Sequence, residues 1–374
     1  MRYGEPTAEA IREKAKAGGY TQVQTLERLW WDYEFIAQLQ EIEPGLVLKG
    51  GAAAQLYIDP PNQRGSRDVD MVTRLGLDDV NGAFSKLQAR FAGTRLTIKL
   101  YPPKRPRVPD LPMVTYDMSY KSIFASGSRG FIPDFIKLEV LSENVAIPTN
   151  KIKEKTTPVL TVRNVTCVTL GALVADKLQT LASKTVGTVV EEMPKQLYDI
   201  NHLLFDNAVS KEAVEHMMYA FDALAKEELK FKKLKGTPSD VLGDVIATLA
   251  DLSTVDIAGK DDFKRATRDF QSLYVRKENV RNTYGWGETA SRIRFAAGLL
   301  KLALDDEIEE SEYVKCMAKA KSLSNALPPA EKNIEMKLIE LIGEDGRKFR
   351  GKPLRRIYWQ AVDYFNIDKL AGAI

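Results

Sequence analysis

Residues 46–72, LVLKGGAAAQLYIDPPNQRGSRDVDMV, restrict the possible folds more than any other part of the chain. Three apolar residues, Leu46, Val47 and Leu48, predict a short strand, and Gly50 and Gly51 predict a turn into an alanine-rich helix through Tyr57. After the Pro60-Pro61 breaker, Asp68-Val69-Asp70-Met71-Val72 alternates as a strand with one buried face. A glycine pair that opens a helix lets a phosphate approach bare backbone N–H groups at the positive end of the helix dipole. Two aspartates at i and i+2 on a strand point to the same side, so both carboxylates can reach one metal ion.

The flanking sequence supplies the rest of a sheet. Residues 21–42 carry Leu26, Leu29, Trp30, Tyr33, Phe35 and Leu39 at helical spacing, with Thr21 or Thr25 near the start of an amphipathic helix that Pro44-Gly45 ends. Residues 77–92 predict a helix, and residues 95–101, 113–122 and 134–142 predict strands, with 158–162 as a further candidate. In the stretch 134–142, Phe135, Lys137 and Glu139 share one face and Ile136, Leu138 and Val140 the other. Glu139 is therefore a carboxylate on a strand surface, and Asp117 on a neighbouring strand competes with it as partner to Asp68 and Asp70. The proline-rich stretch 101–112 predicts an exposed loop. From Thr169 onward the pattern is helical. The expectation is an α/β (α+β) domain with a mixed sheet over residues 1–165, followed by a mainly α-helical domain over 166–374, with the active site in the cleft between them.

Composition narrows the chemistry. With 54 basic and 51 acidic residues the net charge is only +3, so a nucleic-acid surface must come from local clustering. The strongest cluster is near the end, where Arg347, Lys348, Arg350, Lys352, Arg355 and Arg356 interleave with Phe349, Tyr358 and Trp359. Cations there would meet phosphates and aromatics would stack on unpaired bases; the competing reading is an ordinary amphipathic helix preceded by basic residues. Residues 229–236 and 274–286 are weaker cases of the same composition. Two histidines leave carboxylates as the expected metal ligands. Two distant cysteines fit reduced thiols in a cytoplasm, and the absence of any run of about 18 apolar residues argues against a membrane span.

Lys49-Gly50-Gly51, Arg64 with Ser66-Arg67-Asp68-Val69-Asp70, Asp176-Lys177-Leu178 and Tyr198-Asp199-Ile200 occur in an order that resembles the AbiEii/AbiGii-type toxins, including the MenT group, among the DNA polymerase β-like nucleotidyltransferases. The resemblance covers roughly residues 45–205. It implies catalytic roles for Asp68, Asp70, Lys177 and Asp199, nucleotide binding by Lys49, Gly50, Gly51, Ser66, Arg67 and Lys177, and a metal held by Asp68, Asp70 and Glu139. It implies magnesium, with manganese as a substitute, as cofactor and a nucleoside triphosphate as substrate. The 3′ end of tRNA is the implied acceptor, a separately encoded antitoxin the implied partner, and toxicity within a toxin–antitoxin or phage-defence pair the implied role. Transfer to a protein or small molecule, or a non-catalytic nucleotide- or RNA-binding protein, are the alternatives. Where the family often carries Thr or Ser after the glycine pair, this chain has Ala52, which offers no hydroxyl. Taken alone, Lys177 reads as a solvated helix lysine and Asp199 as the partner of a neighbour such as Lys195.

Overall fold

Two helices, Ala8–Gly18 (α1) and Val23–Ile42 (α2), precede the sheet in a computed structural model that describes residues 2–66, 68–92, 97–100, 112–124, 134–142 and 145–372. Thr7 caps the start of α1, and Gly19 ends it in left-handed backbone with φ 67°. α2 is buried on almost every side rather than along one stripe, and it buries Glu27, Asp32, Glu34 and Gln38 together with its apolar residues. Hydrogen bonds make the burial of Glu27, Glu34 and Gln38 tolerable, Gln38 donating to Glu34 Oε1 at 3.0 Å. Glu34 accepts the backbone N–H groups of Arg2 and Tyr3, each at 2.6 Å, while Glu27 accepts Ser122 Oγ at 2.6 Å and the Ile123 N–H at 2.9 Å. Thr21 and Thr25 do not cap α2. Gln22 holds the cap position without a side-chain bond, and the two threonines donate to the carbonyls of Ser272 and Leu273.

The chain then builds Val47–Lys49 (β1), Gly50–Tyr57 (α3), Asp68–Thr73 (β2), Leu77–Arg90 (α4), Thr97–Leu100 (β3), Met113–Tyr120 (β4), Asp134–Ser142 (β5), Thr149–Thr156 (β6) and Thr161–Val168 (β7). The strands form one sheet in the order β3-β4-β5-β2-β1-β7-β6. β2 lies parallel to β5 and β1 parallel to β7, with the other pairings antiparallel, so the sheet is mixed as expected. Leu48, Val69, Met71, Ile136, Leu138 and Val140 are fully buried and form its core face. The last expected strand, 158–162, begins instead at Thr161, and β6 has no counterpart in the sequence reading. β6 is an edge strand in which only Ile152 and Lys155 escape full exposure, so it has no apolar face for periodicity to reveal. Its lysines discourage pairing with other chains.

Beyond β7 the elements are helical: Leu170–Gln179 (α5), Met193–Phe205 (α6), Lys211–Phe231 (α7), Pro238–Leu252 (α8), Asp261–Tyr274 (α9), Thr283–Leu304 (α10), Glu310–Ala326 (α11), Lys332–Ile342 (α12), Leu354–Ala361 (α13) and Ile367–Ala371 (α14). The chain divides into two compact units, residues 1–173 with 270–280, and residues 174–269 with 281–374. The division thus falls later than residue 165 and includes a return. β7 continues to Val168, and residues 270–280 pack back onto the first unit through specific bonds. The Gly65 N–H donates to the Tyr274 carbonyl at 2.9 Å, Lys277 N–H to the Gly19 carbonyl at 3.2 Å, and Asn279 to the Pro61 carbonyl at 2.7 Å. Arg276 lies over the Tyr20 ring and donates to its hydroxyl at 3.2 Å. In the stretch 274–286, Arg276 is thereby committed to packing within its own unit. The second unit is built around α10, whose Trp286, Ile293 and Leu300 are buried against its neighbours. Among the described residues, no helix is long and apolar enough to cross a membrane.

Candidate active site

Strand register gathers the candidate residues of the first unit. Across β1 and β2, Lys49 stands opposite Asp70, and across β2 and β5, Asp68 stands opposite Lys137 and Asp70 opposite Glu139. Since side chains alternate, these residues share the face opposite Val69 and Met71, which are fully buried. Asp117 faces Lys137 across β4 and β5, one strand further from β2 than Glu139. Of the two candidates for third carboxylate, Glu139 is therefore the register neighbour of Asp70.

The glycine pair is explained by what lies against it. Gly50 has φ 69°, and a Cβ built there would stand 2.0 Å from Asp70 Oδ2 and 2.8 Å from Asp70 Cβ. Only glycine accommodates both the left-handed backbone and the carboxylate pressed on it. At Gly51 a Cβ would meet Ser66 Oγ at 3.0 Å and an Arg64 guanidinium nitrogen at 3.2 Å. The start of α3 is thus surrounded by one carboxylate, one hydroxyl and one guanidinium. Arg64 is only 3% exposed. Its backbone N–H donates to Gln55 Oε1 at 2.8 Å, its Nη1 donates to the Gly65 carbonyl at 2.6 Å, and its guanidinium lies 5.6 Å from the Phe270 ring. The motif contained Arg64, yet sequence reasoning assigned it no role, because its contact with the turn exists only in three dimensions. Ser66 is buried and donates to the Asp68 carbonyl at 3.3 Å. Ala52, the departure from the family pattern, is fully buried, and its carbonyl accepts the Tyr33 hydroxyl at 3.1 Å. Arg67 and residues 101–111 lie outside the described residues.

Lys137 changes the electrostatics of the carboxylate face. Its Nζ lies 2.5 Å from Glu139 Oε1. Burial alone would lower the ammonium pKa, but the hydrogen bond and charge of Glu139, with the charges of Asp68 and Asp70, outweigh it and raise the pKa. Among the described residues, no three His, Cys, Asp or Glu side chains are gathered as a metal cage. The donor set nonetheless fits magnesium, which is typically held by one or two carboxylates together with substrate phosphates. Asp68 and Asp70 would supply that pair, and the space left open by Gly50 seats Asp70 against the start of α3.

The second unit contains the other two expected residues. Lys177 of α5 and Asp199 of α6 form an ion pair at 2.8 Å, with side chains 4% and 0% exposed. Lys177 also donates to Gln196 Oε1 at 3.1 Å. Neither residue is a solvated surface charge, and Lys195 pairs with Glu192 rather than with Asp199. A pair so deeply buried is poorly explained by stability, since desolvation offsets much of its attraction.

The carboxy-terminal basic stretch is not the interleaved surface its composition suggests. Phe349, Tyr358 and Trp359 are core residues, so none of them is available to stack on a base. Arg356 is 1% exposed, pairs with Asp256 at 3.1 Å and donates to Ser291 Oγ and the Ser253 carbonyl. Lys352 pairs with Asp256 at 3.3 Å, Arg355 with Glu288 at 2.9 Å and Lys348 with Asp345 at 2.5 Å. Periodicity cannot distinguish an aromatic facing solvent from one facing the core, and here the helix turns its rings inward. Arg347, Lys348 and Arg350 remain exposed.

A family model described as "Nucleotidyl transferase AbiEii toxin, Type IV TA system" matches residues 35–282. That range reaches through the returning segment 270–280. No curated protein matches the chain. Among solved structures it is similar to the nucleotidyltransferase toxin MenT4 of Mycobacterium tuberculosis, at 12% identity and TM-score 0.44 over 97% of each chain. It is also similar to a nucleotidyltransferase structure from H. pylori, at 14% identity and TM-score 0.33, over 76% of this chain and 96% of that one.

Proposed function

Because the chain belongs to the AbiEii nucleotidyltransferase toxin family, we propose that it transfers a nucleotide from a nucleoside triphosphate to the 3′-terminal hydroxyl of a tRNA. The observation that carries this reading is the seating of Asp70 against Gly50 at the start of α3. It brings a metal-binding carboxylate and a phosphate-binding turn within one side chain's reach of each other. In the reaction the acceptor oxygen bonds to the α-phosphorus, the bond from that phosphorus to its bridging oxygen breaks, and pyrophosphate leaves. The N–H groups at the start of α3, the Ser66 hydroxyl and the Arg64 guanidinium orient the triphosphate. Lys49, opposite Asp70, adds positive charge there, and Arg67 is assigned to nucleotide binding with it. Asp68 and Asp70 would hold magnesium, or manganese in its place, and Glu139 would join them on releasing Lys137. A bound ion polarises phosphoryl oxygens and lowers the pKa of the acceptor hydroxyl. Lys177, its ammonium held by Asp199 and Gln196, is a further catalytic residue in this reading.

The family's description as a type IV toxin–antitoxin system supports a cognate antitoxin as partner, and we read the chain as a cytoplasmic toxin of a toxin–antitoxin or phage-defence pair. The test is incubation of the purified chain with each labelled triphosphate, magnesium and a tRNA pool. Label should enter RNA with the natural chain and be absent with Asp70→Asn, which keeps the side-chain shape and removes the charge. Label entering protein instead would move the acceptor, and no label in RNA, protein or small molecules would overturn the reading.

A further inference from the structure

Away from the sheet, the second unit gathers cations that its own carboxylates do not balance. The cluster forms around α10. His202 and Asp206 come from the end of α6, Arg281, Glu288 and Arg292 from the start of α10 and the residues before it, Lys321 from α11 and Arg355 from α13. Its two carboxylates are already engaged. Glu288 pairs with Arg355 at 2.9 Å. Asp206 lies 2.5 Å from His202 Nδ1, and His202 Nε2 lies 2.9 Å from Arg281, which also donates to Thr289 Oγ1 at 2.5 Å. Burial lowers the His202 pKa, so the ring is neutral at pH 7, with Nδ1–H donating to Asp206 and Nε2 accepting from Arg281.

Arg292 and Lys321 are what remains. The Arg292 guanidinium lies 4.3 Å from the centre of the Phe205 ring and 5.4 Å from that of Trp359. Among the described residues it makes no hydrogen bond and no ion pair, and its Nε is buried without a partner. Lys321 Nζ stands 5.6 Å from the same Phe205 ring and makes one hydrogen bond, to the Asn207 carbonyl at 2.8 Å. Both side chains are partly exposed, so a solute can reach them. Burial, with Arg355 and Arg281, outweighs the opposing charges of Glu288 and Asp206 and brings the Arg292 pKa down to about 10, and burial and Arg292 outweigh Asp206 in lowering that of Lys321. Stacking on an aromatic ring accounts for one arginine. It does not account for two cations gathered at one Phe205 ring, neither of them in an ion pair among the described residues.

We propose that Arg292 and Lys321 form an anion site for a phosphate group, on a floor made by Phe205 and Trp359. A guanidinium lying on a ring keeps its N–H edge free in its own plane, where it matches two phosphate oxygens, and the ammonium adds a third donor. A nucleotide's phosphate and the phosphodiester of an RNA strand present the same oxygens. The site uses no residue of the transferase reading and stands or falls apart from it.

The test is calorimetric titration of the full chain, free of divalent ions and at constant ionic strength, with inorganic phosphate, ATP and a short single-stranded RNA. Phosphate should bind the natural chain and Asp70→Asn equally, and Arg292→Gln and Lys321→Gln should each weaken it about tenfold or more, as loss of a charge-assisted bond predicts. The same variants then identify the source: weaker RNA binding alone points to a strand, weaker ATP binding alone to a nucleotide. Should Arg292→Gln fail to fold, Lys321→Gln decides, since its side chain makes only one backbone hydrogen bond. Phosphate acting no differently from chloride, or binding unchanged in Lys321→Gln and in any folded Arg292→Gln, would overturn the proposal.

Discussion

Replacing Gly50 with alanine tests the central claim about the site, that the glycine is there to seat Asp70. Two costs follow from the structure. A residue with a Cβ at φ 69° gives up roughly 1–2 kcal/mol relative to glycine. The new methyl would stand 2.0 Å from Asp70 Oδ2 and 2.8 Å from its Cβ. Rotating the carboxylate relieves only the first contact, because the Cβ of Asp70 is fixed to β2, so the two strands must also separate slightly. Overpacking of this kind costs about 1–3 kcal/mol, and Gly50→Ala should therefore destabilise the first unit by roughly 2–5 kcal/mol in all. The assay is urea unfolding of Gly50→Ala, Asp70→Gly and the double variant. Asp70→Gly removes the three nearest atoms, so the double variant should recover the steric part and retain the backbone part, a coupling of about 1–3 kcal/mol. A coupling near zero would mean that Gly50 serves the turn alone and that the seating of Asp70 is incidental, which would remove the main support for a joined phosphate and metal site.

Three further outcomes follow from other parts of the molecule. Lys177→Met should destabilise the second unit by about 3–5 kcal/mol by stranding the buried Asp199 charge, with Lys177→Met/Asp199→Leu recovering much of the loss; equal denaturation midpoints for the natural chain and Lys177→Met would refute the buried pair. His202 is depressed by burial, so between its folded pKa and the ordinary value near 6.5 the unfolded chain binds more protons than the folded one. Stability should then fall as pH drops below about 6.5, by at most about 1.4 kcal/mol per pH unit, and His202→Asn should flatten that slope in thermal melts; an unchanged slope would refute it. Burial pushes both thiols, Cys167 and Cys316, up to about 11. Neither should react with iodoacetamide at pH 8 until the chain unfolds, and mass spectrometry showing rapid labelling of folded Cys167 would contradict its placement in β7.

The sequence by itself determined how the candidate residues of the first unit are grouped. A glycine pair, a helix and an Asp-x-Asp strand lie within 27 consecutive residues, and at that range alternation and turn chemistry fix which side chains share a face. The expected strands 113–122 and 134–142, and the helix 77–92, correspond to β4, β5 and α4 with shifts of at most two residues at their ends. Patterning failed where a segment has no apolar face, as in β6, and for α2 it gave the helix but not its burial on nearly every side. Tertiary structure alone decided the rest. Whether Arg356, Tyr358 and Trp359 meet solvent or core depends on which side of α13 finds a partner, and a basic-aromatic composition is the same in either case. That Thr21 and Thr25 fasten residues about 250 positions away, that Arg64 lies beside Gly51, and that Lys177 neutralises Asp199 are facts of long-range contact. They arise because buried polar groups must find partners wherever the fold brings them, and no local pattern encodes that choice.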